Sequence, residues 1–174
     1  LVAVDRDRKT ADGRDYLAIN PNGYVPALDI GDGPALTETS VLVQYLADRK
    51  PESGLMPAAG DPARYRAQQW LAFIATELHK GFAPLFIPGT PDEAKELARK
   101  HLANRLAFLD QRLGDGPFLM GDAFTAADAY AFTVLGWGRH VGIDIGAYPN
   151  LARYHAAILE RPAVQRALKE QGLI

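Results

Sequence analysis

Cysteine is absent from all 174 residues, and neither sign of charge dominates: 19 lysines and arginines stand against 21 acidic residues. Each absence narrows the reading. Without cysteine there is no disulfide, no thiolate metal site and no thiol nucleophile within these residues, and no metal is expected. Without a basic stripe, nucleic acid is an unsuitable partner. No apolar run approaches the roughly 20 residues that span a bilayer, and no signal-peptide pattern is visible. No internal repeat or low-complexity tract interrupts the chain. The expectation is a soluble, cytoplasmic protein. Hydrophobic residues make up 48% of it, enough for one compact unit or two small ones with a real core.

The stretch that organises the rest runs from Asn20 to Asp48. Two short apolar runs, Tyr24 to Ile30 and Pro34 to Leu36, flank Gly31-Asp32-Gly33, a tripeptide suited to positive φ, and predict a β-hairpin. Thr37-Glu38-Thr39-Ser40 then opens an amphipathic run through Leu46 that reads as a helix. Val25-Pro26 sits at the entrance to the first strand, where proline cannot donate to a ladder. A cis bond there would turn the Val25 N–H and C=O outward, ready to pair with an extended peptide. At the other end, Glu38-Thr39 at a helix N-terminus offers free amides for a carboxylate and one carboxylate for an ammonium group. Together they would hold both ends of a short peptide. Each feature alone is also ordinary strand or cap chemistry; their order and spacing carry the reading.

VPAL, the GDG turn, TET and QYLAD resemble the thioredoxin-like half of glutathione transferases, and ADGRDYLAINPNG and TELHKGFAPLF resemble the bacterial beta class in particular. The resemblance covers essentially the whole chain. It implies a thioredoxin-like α/β domain over residues 1–50, a breaker-rich linker over 51–60, and an all-α domain over 61–174. It implies glutathione as co-substrate, a small electrophile as second substrate and a homodimeric assembly. By motif, Val25 before Pro26 would pair with the cysteinyl part of glutathione, and Glu38 with Thr39 would hold the γ-glutamyl end. Thr39 stands where serine is more usual and keeps its hydroxyl. Arg8 and Lys9 match basic residues that help hold the glycyl carboxylate; the alternative is an exposed basic loop. The resemblance also aligns Leu1 to Asp5, an apolar run read as a strand, with the second strand of the thioredoxin plan. A first strand and helix of about 30 residues, holding the thiol-activating cysteine, serine or tyrosine, are therefore expected upstream.

In the second half, Asp61-Pro62 caps a long helix bearing Tyr65, Trp70, Phe73, Ile74 and Leu78, expected to close at Gly81 with His79 and Lys80 in its last turn. Cations there would serve the helix dipole. The resemblance instead places His79, and with it Lys80, facing the glutathione sulfur across the domain cleft, where a histidine can hold or exchange a proton with a thiol. Ala72 falls where some members carry an asparagine contributed by the partner subunit. Thr90-Pro91-Asp92-Glu93 predicts a capping box for a helix with Ala94, Leu97, Leu102, Leu106, Leu109 and Leu113 on its inner face. His101 on that helix reads as structural. Phe124-Thr125-Ala126-Ala127-Asp128 combines a hydrophobic staple with a reciprocal cap and resembles the buried capping motif of glutathione transferases. Trp137 and His140 match second-substrate positions, with a buried structural tryptophan as the alternative. Asn150 is expected to cap the penultimate helix, and Arg161-Pro162 restarts a last one ending at Gly172.

The reading with the most support is a glutathione transferase, conjugating the glutathione thiol to electrophiles. Its rival is a non-catalytic binding protein on the same scaffold.

Overall fold

Proline and aspartate set where the helices of residues 1–174 begin in the computed structural model. The Asp61 carboxylate accepts the Ala63 amide at 2.8 Å, and Pro62 occupies the first helical position, so α3 starts at Pro62 and runs to Phe73. The same logic starts α1 (Tyr16–Ile19), where Asp15 accepts from Leu17. It also starts α9 (Pro162–Glu170) behind Arg161. The remaining helices are α2 (Thr39–Asp48), α4 (Lys80–Phe86), α5 (Asp92–Leu113), α6 (Ala126–Gly136), α7 (Gly138–Val141) and α8 (Pro149–Leu159). None is long and apolar enough to cross a membrane.

The core lies among α3, α5, α6 and α8 and reaches back to Ala47 of α2 and Met56 of the linker. Leu102, Leu106 and Leu109 of α5, Leu71 and Leu78, Val134 and Leu135 of α6, and Leu151 and Ile158 of α8 are all shut off from solvent. Burying each such side chain is worth about 1.5–3 kcal/mol. The linker is anchored rather than loose: the Ala126 amide donates to the Leu55 carbonyl at 2.8 Å. Arg64 of α3 ties it further, with a two-pronged pair to Asp48 at 2.8 and 2.7 Å and a bond to the Pro57 carbonyl at 2.9 Å. That brings α2, and with it Glu38 and Thr39, against the helical core.

Several expectations are corrected. The hairpin is reduced to one bridge, in which Leu28 and Leu36 exchange hydrogen bonds of 2.8 Å. Pro26 and Pro34, which have no N–H, stand two residues to either side and stop the ladder. Likewise Leu1 to Asp5 forms no strand, only a bridge from Val4 to Thr10. Gly81 does not end a helix. After Phe73 the chain widens into a π-helical turn, Ile74–His79, and continues as α4 through Gly81, where a Cβ would lie 2.9 Å from Leu102 Cδ2. His79 and Lys80 therefore sit mid-helix, where the terminal-dipole role does not apply.

The Thr90 box is not formed either: its hydroxyl donates to the Ile87 carbonyl at 2.9 Å, and the N-cap is Pro91, which has no N–H to donate to a side chain reaching back. On α5, Leu97 is 70% exposed and Ala94 is also exposed, so the inner face starts at Ala98. Finally, Asn150 lies inside the first turn of α8 rather than capping it. Asp110 of α5 does that work across the core, accepting the Asn150 and Leu151 amides at 2.8 and 2.9 Å.

Candidate functional site

Two buried polar groups shape the loop before Pro26. The Tyr16 hydroxyl and the Asn20 amide both donate to the Tyr24 carbonyl, each at 2.7 Å. Arg8, itself at positive φ, donates to the Gly23 carbonyl at 2.5 Å. With these carbonyls taken, the backbone turns through Tyr24 and Val25, and the Val25–Pro26 bond is cis. The N–H and C=O of Val25 have no partner within the chain, and its side chain is exposed. This is an unpaired backbone edge open to an extended ligand.

Glu38 caps α2 at φ 67° and ψ 111°, an unusual conformation for a residue with a Cβ, and its side chain makes no capping bond. Such strain costs on the order of 1–3 kcal/mol and is held by surroundings that fix it. It presents the Glu38 carboxylate to solvent beside the open amides of Thr39 and Ser40.

His79 closes the π-helical turn, a feature that widens a helix by one residue and re-aims the side chain at its end. Glu77 in that turn pairs with Arg105 of α5 at 2.6 Å and stands 3.6 Å from His101, clamping the wide turn to its neighbour. The His79 ring is half-buried. Its Nδ1 lies 2.7 Å from the Tyr130 hydroxyl, and its ring meets Trp137 edge-on at 4.6 Å. Burial lowers the His79 pKa and the Lys80 ammonium lowers it further, against a smaller upward pull from Glu38. The imidazole is accordingly neutral near pH 7.

Burial pushes the Tyr130 phenol up to about 12, with the Thr39 hydroxyl working the other way as a hydrogen-bonding neighbour and Glu38 adding to the rise. The sequence reading does not single out Tyr130; only the fold brings its hydroxyl against His79.

Of the other expected residues, Lys80 places its ammonium 5.4 Å from the centre of the Tyr24 ring. Trp137 packs edge-on against Phe82 and Phe86 as well as His79, forming an apolar wall. Lys9 is exposed, with its backbone bridged to Asp15. Ala72 is exposed and His101 is engaged only with Glu77. His140 stands apart: exposed, with Arg139 Nε donating to its Nε2 at 3.1 Å, it lines a cavity of about 890 Å³ between α6 and α9 that Trp137 borders but His79 does not. No group of three histidine, aspartate or glutamate side chains is placed to hold a metal.

Comparison with known proteins identifies the family of both halves. Residues 73–162 match the family "Glutathione S-transferase, C-terminal domain", and residues 2–49 match its N-terminal domain. The Escherichia coli O157:H7 protein glutathione S-transferase GstA is 44% identical over 99% of this chain and 87% of its own length. A sphingomonad glutathione S-transferase solved in complex with glutathione superimposes with a TM-score of 0.94 at 48% identity, covering 99% of this chain and 87% of that one. The beta-class enzyme of Sphingomonas chungbukensis gives 0.95 at 46% identity with the same coverage. The thioredoxin-like half and the helical half expected from the sequence are therefore both those of one family, and the chain belongs to the bacterial glutathione S-transferases, close to the beta class.

Proposed function

We propose that glutathione lies extended from Tyr24 to the head of α2 and that its thiolate attacks an electrophilic carbon held against Trp137. In that attack the S–C bond forms as the leaving group departs with its electron pair. Val25 pairs through its N–H and C=O with the cysteinyl part. Glu38 takes the α-ammonium of the γ-glutamyl end, while Thr39 and the α2 amides take its carboxylate. Arg8 and Lys9 supply positive charge for the glycyl carboxylate, and Lys80 stands beside His79 on the sulfur's side. His79 faces the sulfur, and Trp137 with Phe86 offers an apolar surface to the second substrate, with His140 further along it. The protein works as a homodimer in the cytoplasm. The glutathione-bound state of the sphingomonad relative supports the ligand.

The observation that carries the reading is the combination of an unpaired backbone edge at Val25, a strained acidic cap at Glu38 and a half-buried His79 bonded to Tyr130. Glu38→Ala, measured by calorimetric titration with glutathione, is expected to weaken binding by about tenfold or more, the size of a lost charge-assisted hydrogen bond. Binding as tight as the parent's would sink the γ-glutamyl assignment.

A further inference from the structure

The ring of His79 is fixed from several sides. Tyr130 approaches Nδ1 at 2.7 Å, the Tyr130 ring stands edge-on at 5.9 Å, and Trp137 stands edge-on at 4.6 Å. Lys80 on its own helix and Glu38 across the cleft are the charged groups that act on it. Nε2 is the one ring nitrogen with no partner in the chain.

A neutral imidazole has one donor nitrogen and one acceptor, and which is which follows from what the bonded nitrogen meets. A phenol can either give or take at Nδ1, and its O–H, far more acidic than a neutral imidazole N–H, is the better donor of the two. The Tyr130 phenol also keeps that proton across the physiological range, because burial holds its pKa near 12. We propose that Tyr130 is a positioning residue: it donates to His79 Nδ1, and Nε2 of His79 carries the imidazole proton outward toward the ligand sulfur. His79 then acts as a hydrogen-bond donor that stabilises a thiolate, with no proton gained or lost by the ring. The target of that donor rests on the glutathione reading above. The tautomer itself belongs to the free protein.

The test uses ligand-free, ¹⁵N-labelled protein and long-range ¹H–¹⁵N correlation of the His79 ring, assigned by its loss in His79→Gln. The parent is expected to show the Nε2–H form alone, and Tyr130→Phe a mixture of both neutral forms. An Nδ1–H parent, or a tautomer unmoved in Tyr130→Phe, overturns the proposal. In steady-state assays Tyr130→Phe is expected to lower kcat about fivefold, the size of one neutral hydrogen bond, with KM for glutathione little changed. An unchanged kcat beside a shifted tautomer overturns its part in catalysis. If the tautomer responds as expected but the parent binds no glutathione in calorimetry, the functional reading fails and the positioning role stands.

Discussion

The Lys80 ammonium lies 5.4 Å from the centre of the Tyr24 ring, so a residue of the helical half meets one of the loop before the cis proline. A cation over an exposed aromatic face is worth about 0.5–1 kcal/mol. Lys80→Met keeps the stem and removes the charge. It is expected to raise KM for glutathione by about two- to fivefold and to steepen less with added salt than the parent does, since a screened cation no longer contributes. Steady-state assays from 0.05 to about 0.5 M salt would check this; a KM equal to the parent's at low salt would remove Lys80 from the ligand's path.

The buried carboxylate of Asp128 is the heaviest structural commitment in the helical half. It accepts from the Leu119 and Thr125 amides at 2.8 and 2.7 Å, from the Thr125 hydroxyl at 2.9 Å and from the Tyr154 hydroxyl at 3.0 Å. Removing it strands several buried donors at once. Asp128→Ala should cost about 3 kcal/mol or more, and Thr125→Ala about 1 kcal/mol. Chemical denaturation of both variants checks the ranking, and an Asp128→Ala loss no larger than that of Thr125→Ala would contradict it.

How much of this was legible in the sequence follows from how local each feature is. Asp61-Pro62 and Thr125 to Asp128 are caps whose donors and acceptors lie within a few residues, so the letters alone specify them. The failures are non-local. The cap on α8 comes from Asp110, about 40 positions away, and no local motif announces it. Leu97 has the right spacing for the core, yet it lies on the first turns of α5, where no facing element covers it. The π-helical turn before His79 is set by packing of Ile74 and Leu78 and by the Glu77–Arg105 pair, while Gly81 looked like a stop signal. In the candidate site, motif order marks Val25, Glu38 and Thr39, and the resemblance marks His79; no local pattern marks Tyr130, because its partner His79 lies 51 positions away.

His79 and His155 both have pKa values lowered chiefly by burial, with Lys80 adding at the first and Arg139 at the second. The unfolded chain therefore binds more protons than the folded one at pH below the ordinary histidine value of 6.5. The sign follows: their contribution to stability is complete above that value and is lost as pH falls toward the lowered folded values. The urea midpoint should drop between about pH 7 and pH 5. His155→Phe keeps the stacking on Phe132 and should flatten part of that drop. An equally steep profile in the variant would exclude His155 as a source.

Gly138 links α6 to α7 directly after Trp137, and a Cβ there would lie 2.5 Å from the Ile143 carbonyl oxygen, a backbone atom with no rotamer to escape into. Gly138→Ala must therefore displace the turn that carries Trp137. The expected loss is roughly 1–3 kcal/mol of stability, with a rise in KM for an apolar second substrate and little change for glutathione. Equal changes in both KM values would mean that Trp137 does not line the electrophile's side alone.

Glu38 sets stability against ligand binding at one position. Its φ of 67° is a conformation glycine adopts without a Cβ clash, and its carboxylate makes no bond that holds the helix start. Glu38→Gly should then relieve strain while deleting the acidic group. If the strain relieved outweighs the entropy that glycine adds to the unfolded chain, stability rises by up to about 1 kcal/mol. Glutathione affinity falls in the same variant as it does in Glu38→Ala, because both lack the carboxylate. Thermal melting and calorimetry on the two variants separate backbone from charge: glycine should melt above alanine, with matched affinities. A glycine variant melting below alanine would mean that this backbone conformation is not strained, and affinities that differ would mean that the backbone at Glu38, as well as its charge, helps hold the ligand.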